Sequence, residues 1–102
     1  MKVKTRPFDV AEFLQTDEDI RDFLSCVIAE GDESDYIHAL NTAARAKGMT
    51  EIAKKAGVTR ASLYKSLAEG GNPRFDTICK VTRALGCKLA VVEGVSPTGL
   101  RP

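Results

Sequence analysis

One short stretch constrains the fold of this chain more than any other. The segment TEIAKKAGVTRASLYKSL, from Thr50 to Leu67, contains two helical patterns separated by Gly57. Ala53, at the centre of the first pattern, is small enough for a second helix to cross close to it, and glycine can adopt the positive φ that a tight turn requires. Val58 and Leu63 can then hold the second helix against the first. Residues suited to a helix-turn-helix unit occupy all four of these positions, so the stretch predicts such a unit.

Capping residues predict where the helices before this unit begin. Asp9, with Glu12 three residues later, predicts a short helical turn over residues 9–14. Thr16 is followed by three acidic residues that complement a helix dipole, and an apolar stripe then runs as far as Gly31: Ile20, Phe23, Leu24, Val27 and Ile28. The next helix starts near Asp32 or Ser34 and ends at Gly48, with an apolar side formed by Ile37, Leu40 and Ala44.

Thr50 and Thr59 are the predicted N-caps of the two helices inside the unit. A loop at Gly70–Pro73 is followed by a sixth helix, whose inward residues are predicted to be Phe75, Ile78, Val81 and Leu85. The segment KLAVV, Lys88–Val92, predicts one short strand. Because a lone strand needs a partner, we expect it to pair with its copy in a homodimer.

Length and composition limit the classes of protein to which the chain can belong. With 102 residues, 43% of them hydrophobic and 28% charged, it can form one compact core. No apolar run approaches the roughly 20 residues of a membrane span, and MKVKTRPFD lacks the apolar segment of a secretory signal. We therefore expect a cytoplasmic protein without a membrane segment.

The cysteines and the histidine predict no chemical site. Cys26, Cys79 and Cys87 show no C-x-x-C spacing, and we interpret them as small apolar residues, the first two within helices. His38 has no second ligand or paired nucleophile in a recognisable pattern. We expect neither a disulfide framework, a metal nor a cofactor, and no enzymatic activity.

The net charge of +1 conceals a division along the chain. Residues 1–40 hold four basic and ten acidic residues, a balance of −6, whereas residues 41–90 hold ten basic and three acidic residues, a balance of +7. A chain divided in this way can present a basic face to a polyanion and an acidic face to a cationic partner. The alternative is two solvated faces of opposite sign.

If the unit binds DNA, the helix that begins at Thr59 enters the major groove with its amino end first. Its outward residues are Thr59, Arg60, Ala61, Tyr64 and Lys65. Arg60 is the best candidate for reading a base, because its planar fork can donate twice to guanine, which is worth ~1–3 kcal/mol of discrimination. Ala61 or the Thr59 methyl could contact a thymine methyl group, and Tyr64 and Lys65 could contact a base edge or a phosphate.

Three further residues are predicted to hold the DNA backbone. Thr50 is placed to offer its hydroxyl and nearby backbone amides to a phosphate, and Asn72 and Arg74 could act on the other side of the helix. Four other basic residues are interpreted as solvated: Lys54, Lys55, Lys80 and Arg83.

The order of these helices resembles the Xre family of phage repressors, such as lambda Cro and the 434 repressor. More narrowly, five segments between about Arg6 and Leu89 resemble, in order and spacing, the addiction-module antidote proteins, the HigA-like antitoxins: RPFDVAEFL, TDEDIRDFL, AEGD, ARAKGMTEIAKKAGVTRASLYKSL and GNPRFDTICKVTRALGCKL. The predicted fold is all-α, a lambda-repressor-like five-helix helix-turn-helix domain with an extra N-terminal helix and a short C-terminal strand. Residues 1–31 would form an acidic extension that packs on the core, residues 32–93 the DNA-binding domain, and residues 94–102 a flexible tail.

This resemblance implies a dimeric repressor that is encoded beside a small basic ribonuclease toxin of the RelE/HigB type. Such an antitoxin neutralises the toxin and binds double-stranded operator DNA at their shared promoter. The DNA-contact positions that carry over are Thr59, Arg60, Tyr64 and Lys65, whereas no motif fixes the toxin contacts; from the charge division we expect the acidic first 40 residues to meet the toxin. Two alternatives stay open: a stand-alone prophage-type repressor, and a protein-interaction module that does not bind DNA.

Overall fold

The computed structural model describes residues 9–94, which form five α-helices and one short 3-10 helix. The elements are the 3-10 helix Val10–Phe13, α1 Asp17–Glu30, α2 Glu33–Lys47, α3 Met49–Ala56, α4 Arg60–Leu67 and α5 Phe75–Ala84. The all-α prediction is confirmed. The predicted tail, apart from residue 94, and the start of the predicted extension at residues 1–8 lie outside the described residues.

Reciprocal capping boxes begin the first two α-helices. The hydroxyl of Thr16 accepts the backbone N–H of Asp19 at 3.0 Å, and the Asp19 carboxylate accepts the N–H of Thr16 at 3.1 Å. Asp32 and Asp35 repeat this exchange at 2.9 and 3.0 Å, so Asp32 rather than Ser34 begins α2. Each box satisfies two backbone donors that a helix start otherwise leaves unpaired.

Helix α2 lies at the centre of the fold and contacts the 3-10 helix and each of the other four α-helices. Small residues on its surface, Ala39, Ala43 and Ala44, are almost completely buried and allow the neighbouring helices to approach closely. The core around them also contains large fully buried side chains: Ile20, Leu40, Ile52, Leu63, Leu67, Val81 and Leu85. Because these residues come from all five α-helices, each helix is fixed by burial of its own apolar side.

One buried hydrogen bond ties α2 to α5. The hydroxyls of Tyr36 and Thr82 lie 3.1 Å apart, and either of them can donate. Desolvation of the ring raises the pKa of Tyr36 above its ordinary value of 10.0. Since a buried hydroxyl without a partner is costly, this pair accounts for a tyrosine and a threonine inside an otherwise apolar core.

Two ion pairs join the last turn of α2 to the elements before it. Arg45 lies 3.1 Å from the carboxylate of Asp9, and Lys47 pairs with Asp17 at the start of α1. Hydrogen bonds from these cations lower the pKa of both carboxyl groups, and the carboxylate of Asp17 raises the pKa of Lys47. Asp9 therefore pairs with Arg45 and caps the N–H of Ala11 instead of forming the predicted capping box with Glu12.

The strand predicted at Lys88–Val92 is wrong, because residues 87–94 contain no strand. A strand is defined by hydrogen bonds to a neighbouring strand, and residues 9–94 contain no other extended segment paired with this one. The extra N-terminal helix is also absent as an α-helix: α1 to α5 make up the five helices, and a 3-10 turn precedes them. A four-residue segment closes too few backbone hydrogen bonds to sustain an α-helix.

Three residues differ from the predicted positions within the helices. Helix α3 begins at Met49 rather than after Thr50, because Met49 is buried and the N–H of Ile52 donates to the carbonyl of Gly48. Phe75 was predicted to point inward, yet it is the first residue of α5 and 73% exposed. Cys26 lies within α1 as predicted, but it is exposed although it was interpreted as a small apolar residue.

None of the helices within residues 9–94 is long and apolar enough to cross a membrane.

Candidate nucleic-acid interface

The turn between α3 and α4 depends on the backbone freedom of Gly57. This residue has φ 77° and ψ 29°, the left-handed conformation that ends many helices. The N–H of Val58 donates to the carbonyl of Ala53 at 3.0 Å and so closes the turn. A Cβ built on Gly57 would meet no atom within 4 Å, so the requirement for glycine is conformational rather than steric.

Helix α4 is held by its cap and by its buried side. The hydroxyl of Thr59 accepts the N–H of Ser62 at 3.0 Å, which confirms Thr59 as the N-cap. Leu63 and Leu67, four residues apart, are each 1% exposed, and Ala53 on α3 is 3% exposed. Together with the half-buried Val58, these residues pack α4 against α3 across the turn at Gly57.

The opposite side of α4 is exposed and carries the residues predicted to read DNA. Arg60, Ala61, Tyr64 and Lys65 are all exposed, and the helix contains no acidic residue. The Cζ atom of Arg60 lies 5.1 Å from the centroid of the Tyr64 ring, and the guanidinium also donates a hydrogen bond to the Tyr64 hydroxyl at 3.3 Å. A cation over an aromatic face is attracted to it, so the two side chains act as one unit on this surface.

The hydroxyl oxygen of Thr59 already accepts a hydrogen bond within the protein. Its methyl group and its hydroxyl proton are therefore not used by the cap. Thr59 thus has two roles at the start of α4: its oxygen fixes the helix, and the rest of its side chain lies at the exposed amino end.

The three residues predicted to hold the DNA backbone are exposed, and none of them belongs to α4. Thr50 is in the first turn of α3, and Asn72 and Arg74 follow the loop after α4. The Nε atom of Arg74 lies 3.5 Å from Asp76, so this arginine is shared with the first turn of α5. No hydrogen bond within residues 9–94 joins any of the three to Arg60, Tyr64 or Lys65.

A close backbone contact fixes the path of that loop. A Cβ built on Gly71 would lie 2.5 Å from the carbonyl oxygen of Ser66 and 2.8 Å from that of Lys65. Only glycine permits this approach, and the N–H of Gly71 donates to the carbonyl of Ala68 at 2.8 Å. The loop that leads to Asn72 is thereby packed against the carboxyl end of α4.

Two features of this surface were not predicted from the sequence. Ser62 is exposed on α4 among the predicted residues. The pairing of Arg60 with Tyr64 was also missed, although their spacing of four residues is the one at which helical side chains become neighbours.

One of the comparisons with known proteins identifies a family. Residues 4–93 match the model of a family described as probable addiction module antidote protein. The chain is also 40% identical, over 93 residues, to a protein of Haemophilus influenzae that is named only as an uncharacterized protein, and the match covers 91% of this chain and 96% of that relative. No solved structure gives a significant match. On the extent of the family match, this chain belongs to the probable addiction module antidote proteins.

Proposed function

We propose that this chain is an antitoxin that binds operator DNA through its helix-turn-helix unit, represses its own operon and neutralises a toxin of the RelE/HigB type. Membership of the antidote family supports an antitoxin role. The DNA-binding part of the proposal rests on one observation: the exposed side of α4, with Arg60, Tyr64 and Lys65, is held rigidly by the cap at Thr59 and by buried leucines.

The chemistry of this surface suits the major groove. A guanidinium can donate two parallel hydrogen bonds to guanine O6 and N7, whereas Lys65 can reach a phosphate as a point charge. Because α4 contains no carboxylate, it does not repel the phosphates on either side of the groove. The first turn of α3, which includes Thr50, adds backbone N–H groups of the kind that bind phosphate at helix amino ends.

A cationic toxin would find its complement in the first half of the chain. Glu18, Asp22, Glu30 and Glu33 are exposed and form no ion pair within residues 9–94. Such a surface attracts a basic protein and speeds its association. In this proposal the antitoxin acts by binding rather than by catalysis.

The protein is proposed to act as a homodimer, since helix-turn-helix proteins bind two half-sites through two-fold symmetry. The supporting feature is an apolar face formed by Ile28, Phe75, Ile78 and Leu89, which line one groove. Phe75 is 73% exposed and Ile28 51% exposed, and the exposed Val91 and Val92 follow Leu89 in the chain. Exposed apolar side chains in this number are typical of a surface that another protein covers.

The DNA-binding part of the proposal can be tested by adding increasing amounts of the full-length protein to labelled DNA from the region upstream of its gene. We expect salt-dependent binding that Arg60→Ala weakens while relaxing selectivity at one base pair. Lys54→Ala, a matched loss of one exposed cation on α3, should weaken binding to all sequences equally. Unchanged affinity in both variants would exclude the proposed docking.

Growth of a host that expresses the small adjacent open reading frame, with and without this protein, tests the antitoxin part. We expect toxicity that co-expression relieves. DNA binding beside a harmless neighbour would instead identify a stand-alone repressor.

A further inference from the structure

A groove of ≈ 900 Å³ lies between α1, α2 and the loop that follows α4, away from the exposed amino end of α4. Its apolar lining includes Phe23 and Val27 of α1 and Ile37 of α2, all of them half-buried. Three carboxylates surround this lining: Glu30, Asp35 and Glu69. These six residues are called the acidic groove below.

The groove carries negative charge without compensation. No lysine or arginine within residues 9–94 lines it. Glu30 and Glu69 are exposed and form no ion pair in the described part of the chain, and Asp35 is exposed although its carboxylate accepts the N–H of Asp32. Carboxylates grouped beside an apolar surface concentrate negative potential there.

The carboxyl ends of α1 and α4 lie beside these carboxylates, and only α4 has a basic residue, Lys65, in its last turn. Glu30 is the last residue of α1, a helix with no basic residue in its last turn, and Glu69 follows the end of α4 by two positions. The carboxyl end of a helix is its negative pole, where cations are stabilising and further carboxylates are not. A cation bound between Glu30 and Glu69 would offset repulsion at both helix ends.

The interior of the groove lacks the features of a small-molecule site. The buried hydroxyl of Thr42 donates to the carbonyl of His38 at 3.1 Å, and no buried side-chain polar atom within residues 9–94 is without a partner. Small-molecule pockets place a few convergent polar groups inside, whereas protein interfaces combine an apolar centre with a polar rim. The acidic groove has the second arrangement.

We infer that the acidic groove binds a cationic amphipathic segment of a partner protein, with apolar side chains against Phe23 and Val27 and lysine or arginine side chains against Glu30 and Glu69. The inference rests on the proposed function, in which that partner is the toxin. Arg60 and Leu67 mark opposite ends of α4, roughly 10 Å apart along the helix. The partner and the DNA would therefore bind at different places on the molecule.

Cys26 provides a direct test, because it lines the groove and its thiol is exposed. The full-length protein would be labelled with N-ethylmaleimide, alone and with a saturating amount of the product of the adjacent gene, and the labelling rate of each cysteine followed by peptide mass spectrometry. We expect the partner to slow labelling of Cys26 at least about tenfold by excluding the reagent. Labelling of Cys79 and Cys87, which do not line the groove, serves as the internal comparison, and operator DNA should leave the rate at Cys26 unchanged.

A matched pair of charge reversals provides the second readout. Glu30→Lys should weaken partner binding about tenfold, whereas Glu12→Lys, an equal change on the 3-10 helix outside the groove, should change it much less. Both variants should bind operator DNA at least as well as the original protein. If the partner binds while Cys26 is labelled at its free rate and the two variants behave alike, the groove inference is wrong and the proposed function stands. If the partner fails to bind although DNA binding is intact, the proposed toxin is wrong and the groove inference fails with it.

Discussion

The guanidinium of Arg60 lies over the ring of Tyr64, 5.1 Å from its centroid, on the exposed side of α4. The hydrogen bond from the guanidinium to the Tyr64 hydroxyl, at 3.3 Å, fixes the direction of the fork as well as its position. A free arginine loses up to about 2 kcal/mol of rotamer entropy when it is held in one conformation. Tyr64 therefore orders the side chain that is proposed to read a base before the DNA arrives.

Removal of the Tyr64 ring should reduce sequence selectivity more than overall affinity. Tyr64→Ala frees Arg60, so we expect the preference at its base pair to fall by part of the ~1–3 kcal/mol that a bidentate contact provides. Tyr64→Phe retains the aromatic face and should retain most of the selectivity. Fluorescence anisotropy on operator variants with single base-pair changes measures both effects. Equal selectivity in all three proteins would mean that Tyr64 does not position Arg60.

Substitution of Gly57 should destabilise the fold through the backbone alone. Gly57→Ala places a Cβ in open space at φ 77°, a conformation that costs an L-residue roughly 1–2 kcal/mol. Gly94→Ala is the control, because it also meets nothing within 4 Å and lacks a positive φ. Urea denaturation should show a lower free energy of unfolding for the variant at position 57 and little change for the variant at position 94. Comparable stability of the two variants would contradict the requirement for a left-handed turn.

Local chemistry explains which parts of the fold were predictable from the sequence. The caps at Thr16, Asp32 and Thr59 and the turn at Gly57 depend on atoms within a few residues, so the sequence alone specifies them. The buried pair Leu63 and Leu67 follows from helical spacing in the same way. The exposed residues of α4 were predictable because they occupy the remaining side of that helix.

The errors concern interactions between distant parts of the chain. Phe75 has the periodicity of a buried residue, but it lies at the first position of α5, beyond the core that Val81 and Leu85 reach. The segment Lys88–Val92 has the composition of a strand and finds no partner within residues 9–94. The acidic groove combines three separate segments, so no local pattern could predict it.

Removal of one hydroxyl of the Tyr36–Thr82 hydrogen bond should destabilise the fold more than removal of both hydroxyls. Thr82→Val leaves the Tyr36 hydroxyl buried without a partner, which costs about 1–3 kcal/mol. Tyr36→Phe should cost less, because a helical threonine can donate to the carbonyl four residues earlier. The double variant should recover part of the loss, and a double-mutant cycle by thermal denaturation measures the coupling. Strict additivity of the two changes would contradict this pairing.

The ion pair between Asp17 and Lys47 should make stability depend on pH at the acidic end. The pKa of Asp17 is lowered in the folded state. The stability that Asp17 contributes is therefore present at pH values above its ordinary pKa of 3.8, and it is lost as the pH falls through the lowered pKa. Because the pKa of Lys47 is raised, the stability that Lys47 contributes is lost only as the pH rises above 10.5. Asp17 is exposed and Lys47 is half-buried near the surface, so we expect a small effect that salt screens.

Asp17→Asn removes this pair, and Glu18→Gln removes a neighbouring first-turn carboxylate that forms no ion pair within residues 9–94. Denaturation curves at neutral pH should show a larger loss for Asp17→Asn. The difference between the two variants should disappear in about 1 M salt and at the lowest pH. A difference that persists under both conditions would assign the effect to the helix end rather than to Lys47.

Substitution of Phe75 should weaken the proposed homodimer without unfolding the protomer. Phe75 is 73% exposed, so Phe75→Glu removes little from the core, but it places a negative charge in the apolar face beside Asp32 and Glu33, which line the same groove. A charge buried in such an interface without an opposite charge is strongly unfavourable. Phe13→Glu is the matched control, because Phe13 is 62% exposed and lies on the 3-10 helix outside this face. Sedimentation velocity should show monomers for the variant at position 75 and dimers for the variant at position 13, whereas dimers in both would move the interface away from α5.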